Sequence, residues 1–330
     1  MGRPPWGLAI AAAITLHGAA AAQTLPTPAW PAQPITMVVP FAAGGPVDTI
    51  GRILAARLGE ILGQQVVIEN IGGAGGMIGA ARVAKATPDG YQLVLATSAT
   101  HAQNQSLYKN PLYDAATAFA PVALVTDSPR VLITRKDLPA ATLAEFTAYA
   151  RINQAKMQYG TAGAGAGTHI CALLLDQAMG TRITHIPYRG AGPAMQDLIG
   201  GRIDYICEQI STAVPQIQAG AVRAIMVLGP DRVRVLPGLI SAREAGLADF
   251  DCGAWTGLAF PRGTPDAIVR RLSSAASEAA DTAAVRERLE SIGVTVVAPE
   301  RRSPEYLAKF IVSEIAKWAV PIKASGVQAQ

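Results

Sequence analysis

The sequence predicts an α/β protein of two lobes with a ligand cleft between them. Three observations carry this expectation. Short β-rich runs alternate with helical periodicity in two successive blocks, each block passes from a strand through glycines into a helix, and an export-type leader precedes both. With 330 residues, half of them apolar, the chain can bury a large core in two domains or one large one. Charged residues make up only 16%, and abundant Gly and Ala suit helices laid closely on sheets. The net charge is +4 and no Lys/Arg-rich run interleaves with aromatics, so no nucleic-acid surface is expected.

The leader comes first. Arg3 supplies a positive start, "WGLAIAAAITLHGAAA" is a short apolar stretch, and Ala20, Ala21 and Ala22 before Gln23 fit a small-residue cleavage site. Residues 1–22 therefore read as a secretory signal peptide, with a mature chain that begins near Gln23 and works in the periplasm. A membrane anchor needs about 20 strongly apolar residues, and this Ala-rich stretch is shorter and interrupted by His17 and Gly18.

"PITMVVPF" is then a short strand ending in a glycine turn, and "TIGRILAARLGEIL" places Ile50, Ile53, Leu54, Leu58, Ile61 and Leu62 on one helical stripe. "QQVVIEN" is a strand, "GGAGGMIGAARVAKA" a glycine turn into a helix, and "YQLVLAT" a strand, which is the rhythm of a parallel sheet covered on both faces. The second block repeats it. Strands are expected at "PRVLITRK", "MQYGTA", "RITHIPY", "IDYICEQ" and "VRAIMVL", and helices at "TLAEFTAYARI", "HICALLLDQAM", "GPAMQDLIGG" and "TAVPQIQAG". A proline- and charge-rich passage follows, and the tail carries two amphipathic helices, the first broken near Asp281. Residues 126–250 read as an inserted second lobe, with 33–125 and 251–330 forming the first and hinge crossings near Val125 and Cys252. Clefts between domains, at the carboxyl ends of parallel strands, are where ligands usually bind.

The two glycine junctions fall at matching places. "VVPFAAGGPVDTIGRIL" enters a helix opened by Pro46, Asp48 and Thr49, and "YGTAGAGAGTHICALLL" enters one opened by Thr168 and His169. Each aims unpaired N–H groups and the positive helix end at one spot, a generic anion site, so facing junctions would hold one anion between lobes. The alternative is a pair of tight strand-to-helix turns and nothing more. Neither loop has a P-loop lysine, and "GGAGGMIG" lacks dinucleotide spacing, so a small organic carboxylate is the favoured anion and no metal or cofactor is read. Asp48 has two readings, a helix-start residue bonded to local N–H groups or an acceptor for a ligand amine or hydroxyl.

"PITMVVPFAAGGPVDTIGRIL", "GAGGMIGAARVAKATPDGYQLVLAT", "AGAGAGTHICALLL", "HIPYRGAGPAMQDLIGGRIDY" and "AFPRGTPDAIVRRL", in this order over nearly the whole mature chain, resemble the Bug family of periplasmic receptors of tripartite tricarboxylate transporters. The resemblance implies a type II periplasmic-binding-protein fold whose two loops grip a ligand carboxylate, often through water. It assigns Phe41, Ala43, Gly44, Gly45, Asp48 and Thr49 to one jaw and Ala162, Gly163, Thr168 and His169 to the other. It also implies a membrane permease as partner. Ser98 and Glu208, at strand ends, are candidates for the far end of the ligand. The Glu208-Gln209 pair stands where many relatives carry Asp-Asn, which leaves distal specificity open, and Trp255, Tyr188 and Arg189 are equally packing residues.

Three cysteines, Cys171, Cys207 and Cys252, form no Cys-x-x-Cys pair. In an oxidising compartment Cys171 and Cys207 are expected to join, leaving Cys252 over; the alternative is separate buried thiols. The leading function is a monomeric, non-catalytic receptor for a small carboxylate. The others are a ligand-sensing component of a signalling system and, without a G-x-S-x-G or H-E-x-x-H motif in support, an exported hydrolase.

Overall fold

The computed structural model describes residues 1–2 and 30–324, so the expected signal peptide lies outside the described residues. The first block runs β1 (Ile35–Val39), α1 (Pro46–Leu62), β2 (Val66–Asn70), a 3-10 turn (Ala74–Gly76), α2 (Met77–Ala84) and β3 (Gln92–Thr97). A π-helical turn (Ala99–Gln103) leads into α3 (Asn104–Leu107), and the long β4 (Phe119–Ser128) follows. The chain continues as β5 (Arg130–Arg135), α4 (Leu143–Asn153), β6 (Gln158–Thr161), α5 (Gly167–Met179), β7 (Thr184–Pro187), α6 (Ala191–Ile199), β8 (Tyr205–Gln209), α7 (Ile210–Gln218) and β9 (Val222–Val227). After an irregular link come β10 (Ala254–Pro261), α8 (Asp266–Asp281), α9 (Ala283–Ser291), β11 (Thr295–Val296) and α10 (Pro304–Ala324). Among the described residues no helix is long and apolar enough to cross a membrane.

Two sheets result, one per lobe. The first has the order β11-β4-β10-β3-β1-β2 and the second β7-β6-β8-β5-β9. β1 pairs parallel with β2 and β3, and β6 with β7 and β8, as the alternating rhythm predicts. The crossing strands differ from that expectation. β10 runs antiparallel to β3 and β4, and β5 antiparallel to β8 and β9, because a chain that leaves a lobe and returns beside itself must reverse direction. β4 stays in the first sheet to Ser128, paired there with Ala254, so Pro129 alone separates it from β5, beyond Val125.

Local chemistry fixes the elements that carry the cleft. β1 is buried on both faces, as a central parallel strand must be, and its Ile, Thr and Val residues suit that position. Extended Gly45 caps α1, with Pro46 in its first turn, and left-handed Gly63 ends it. Thr142 and Glu145 form a capping box at α4. One apolar core spans both lobes, running from Ile50 and Leu95 to Val131 and Ile206, while Tyr159, Tyr205 and Phe146 centre a core on the outer side of the second sheet.

The cysteine pairing corrects the expected one. Cys171 on α5 is bonded to Cys252, their Cα atoms 5.6 Å apart, and Cys207 is a free, fully buried thiol on β8. The link folds back along the second lobe, with the Cys252 N–H donating to the Leu228 carbonyl, and this turn brings Cys252 beside α5. Cys207 is held in the sheet opposite Leu132, and burial pushes its thiol well above the ordinary range. Unreduced, denatured protein should therefore alkylate only at Cys207, by intact mass, and Cys252→Ser should lower the unfolding free energy by about 2 to 4 kcal/mol. Three alkylated thiols in exported protein would contradict the pairing.

Candidate functional site

The starts of α1 and α5, one from each lobe, open onto a single narrow interlobe cavity of about 30 Å³. Gly45, Pro46 and Val47 line it from the first lobe and Ala166, Gly167 and Thr168 from the second, with Thr97, Ser98 and Ala99 from the end of β3. The helix-start N–H groups of Val47 and Asp48, and those of Gly167 and Thr168, donate to no acceptor among the described residues. Such orphan donors, reinforced by the helix dipole, suit a negatively charged group.

The lobes are closed around this cavity. Tyr108 Oη of the first lobe donates to the Ala164 carbonyl of the second at 3.0 Å. Gly75, at φ +61°, lies so near the second loop that a Cβ on it would stand 2.6 Å from the Gly165 carbonyl carbon. A side chain at this contact would hold the jaws apart.

Of the sequence candidates, Phe41, Gly45, Ser98, Ala162 and Thr168 line the cavity. Thr168 Oγ1 accepts from the Ala162 N–H at 2.9 Å, which leaves its own hydroxyl hydrogen for another acceptor. The other candidates are engaged elsewhere. Ala43 and Gly44 are exposed, and the Gly44 N–H donates to Asp48 Oδ2 at 2.9 Å. Asp48 also accepts from Arg52 Nε and Asn70 Nδ2, each at 2.9 Å. Burial pulls its pKa upward, yet the bonds from Arg52, Gly44 and Asn70 outweigh it and hold the carboxyl below its ordinary value. Thr49 Oγ1 donates back to the Gly45 carbonyl. The Gly163 N–H goes to Thr161 Oγ1, and His169 Nδ1 accepts from the Gly165 N–H. Tyr188 Oη donates to Asp197, and Trp255 Nε1 to buried Glu314.

Glu208 is fully buried and does not line the cavity. Its Oε1 accepts from the Gln209 N–H and Thr212 Oγ1, and Oε2 has no partner among the described residues. Burial pushes its pKa up to about 7, against the pull of those two bonds and of Arg130.

Sequence reasoning missed Arg130 and Gln209, which line the cavity from the starts of β5 and α7. The one signal for Arg130 was a charged residue opening the otherwise apolar run "VLIT". Burial lowers its pKa to about 10, partly opposed by Glu208, Cys207 and Asp251, so it is a cation at neutral pH. Ser98 makes no hydrogen bond to a histidine among the described residues, and no group of three or more His, Cys, Asp or Glu there is arranged for a metal.

The family described as tripartite tricarboxylate transporter family receptor matches residues 50–327. A curated relative from Agrobacterium vitis, the UPF0065 protein in the TAR-I ttuE-ttuC' intergenic region, is 43% identical over 297 residues, 90% of this chain and 86% of its own. Among solved structures, the periplasmic binding protein BugD superposes with a TM-score of 0.89 at 39% identity, covering 91% of this chain and all of its own. MatC from Rhodopseudomonas palustris, solved with bound malate, gives 0.86 at 41% identity, over 89% of this chain and 100% of its own.

Beneath the second loop, the rings of His169 and His185 stack at 4.1 Å. Burial, and for His169 also its neighbour His185, lowers their pKa values to about 3 and about 4. Both stay neutral in the fold while an unfolded chain protonates near 6.5, so their contribution to stability is full above pH 6.5 and is lost as pH falls toward 4. The ring C–H resonances of both histidines should stay flat in NMR from pH 8 to 5; a midpoint near 6.5 for either would contradict the buried stack.

Proposed function

The chain belongs to the tripartite tricarboxylate transporter receptor family, and from that premise we propose that it is an exported solute receptor that shuts two lobes on a small organic carboxylate. One observation carries this reading: two helix starts, from opposite lobes, present unpaired N–H groups to one cavity. A carboxylate seated there bonds to both lobes at once and so favours the closed state over the open one, which is the differential affinity that closure requires. Micromolar binding corresponds to about 8 kcal/mol, within reach of a few charge-assisted bonds plus apolar contact with Phe41 and Val47.

In this reading residues 1–22 export the chain to the periplasm. Residues 33–128 with 254–324 form one lobe and 130–252 the other, moving about the crossings at Pro129 and Gly253. Phe41, Gly45, Ser98, Ala162 and Thr168 form the walls, and the closed monomer presents its cargo to a membrane permease. The cycle is binding and release without covalent chemistry.

A thermal-shift screen of the mature protein against small carboxylic acids tests this. An acid at 100 times its Kd should raise Tm by about 4 °C, and its neutral amide should not. Thr168→Val should weaken that acid about 5- to 10-fold through one lost donor, read by calorimetry. A panel of mono-, di- and tricarboxylates that leaves Tm unmoved would overturn the receptor reading.

A further inference from the structure

Glu208 stands one residue before the end of β8 with none of its surface exposed. Its Oε1 takes two bonds, from the Gln209 N–H at 2.9 Å and Thr212 Oγ1 at 2.8 Å, while Oε2 is left bare. No cation pairs with it among the described residues. Arg130 acts on it from the neighbouring strand, where β5 sets Arg130 opposite Gln209 and Val131 opposite Glu208, but the guanidinium gives its Nη1 hydrogen to the Cys252 carbonyl instead. A buried carboxylate with a bare oxygen is disfavoured in its charged form, and a guanidinium that is near without touching offsets only part of that cost.

The other charges around β8 are already answered. α7 brings Thr212 and no ionisable side chain, and on α6 Asp197 accepts from Tyr188 Oη and Arg202. On α5, His169 is neutral, and Asp176 accepts from Thr181, Tyr205 and the Ile183 N–H. Within the sheet, burial keeps Cys207, Tyr159 and Tyr205 protonated, and Arg135 pairs with Asp137 and Asp204. On the first lobe, α1 packs on α7 with its Asp48 and Arg52 bonded to each other, and Asp251 of the link acts only on Arg130, at a distance. The charge of Glu208 therefore depends on burial, on Arg130, and on what enters the cavity that Arg130 and Gln209 line.

We propose that Glu208 is the internal counter-anion of the cleft: an acid entering the cavity displaces it as the charge that balances Arg130, and a proton from solvent moves onto Glu208 Oε2 as the acid binds. The inference rests on the receptor reading and adds to it the group that ties affinity to pH. The acid brings a negative charge and the proton a positive one, so the buried charge beside Arg130 is the same before and after. Contact between solute and Glu208 is not required, because a negative charge in the cavity acts on it through a low-dielectric wall. Burial holds the Glu208 pKa up at about 7, and a bound anion raises it further. Affinity is then greatest below pH 7, where Glu208 already holds its proton, and falls as pH rises through 7, where the proton must be taken up with the acid.

Calorimetry on the disulfide-intact mature protein with succinate, glutarate and adipate, in phosphate and in Tris at pH 7.5, tests it, because the two buffers differ in ionisation enthalpy and so report proton exchange. The tightest binder should take up about half a proton per acid, and its affinity should fall about tenfold from pH 6.5 to 8.5, where small carboxylic acids are already ionised. His101, His169 and His185 do not titrate in that range, since burial lowers them to about 3, about 3 and about 4. Glu208→Gln, with the shape of the protonated acid, should bind within about threefold of the parent's pH 6.5 affinity at every pH and take up no proton. Binding by the parent without proton uptake, at one affinity from pH 6.5 to 8.5, overturns the inference and leaves the receptor reading standing, and that measurement needs no variant to fold. A Glu208→Gln protein that keeps the parent's pH dependence also overturns it. If none of these acids binds at any pH, the receptor reading fails and the inference falls with it.

Discussion

A helix cannot satisfy its own first N–H groups, and this protein is arranged around two helices that begin face to face with those groups unpaired. Neither lobe supplies the acceptor. Within each loop, acceptors go instead to the donors that shape the turn: Asp48 takes the Gly44 N–H, Thr168 takes that of Ala162, Thr161 that of Gly163, and His169 that of Gly165. Those bonds hold the loops rigid and leave the helix starts bare. The small residues around them, Gly75 against Gly165 above all, let two backbones approach until both starts border one space.

The polar residues of the cleft divide by whether their bonding is complete. Asp48 is buried beside a positive helix start, yet three donors engage both oxygens of its carboxylate, so it stiffens the loop. Arg130, Gln103, Gln209 and Glu208 are buried with bonding capacity left over, and of these Arg130 and Gln209 border the cavity where the start of β5 pairs with the end of β8. A low-dielectric floor of this kind magnifies both the gain from the right solute and the penalty for the wrong one.

Much of the fold was legible because short-range chemistry announces it. Strand-glycine-helix junctions, the alternation of β-rich and amphipathic runs, and the helix break after Asp281 are all local signals, and the elements stand where those signals lie. Residues 98–125 gave none. A π-helical turn has no familiar sequence period, and "FAPVALVTDS" carries Pro121 within a strand of the first sheet that leads up to the crossing. The loops pointed to the cavity, but which of their groups face it depends on side chains that bond back onto their own turn, as those of Thr49 and Asp48 do. Arg130 and the partner of Cys171 escaped for a shared reason. Both depend on the irregular link, whose Cys252 supplies its sulfur to α5 and its carbonyl to the guanidinium, and long-range returns of that kind leave no periodic trace.

The bridge between Cys171 and Cys252 also sets how the jaws can swing. It bolts the returning segment to the second lobe as far as Cys252, and pairing with Ser128 anchors the first lobe from Ala254 onward. Gly253 on one crossing and Pro129 on the other are then adjacent pivots, and the soft coordinate is rotation about the line through them. Shear or twist would tear the ladder between β4 and β10. The molecule is geared as a door on two close-set pins, in which a small turn at the pins becomes a wide sweep at the rim where α1 and α5 begin.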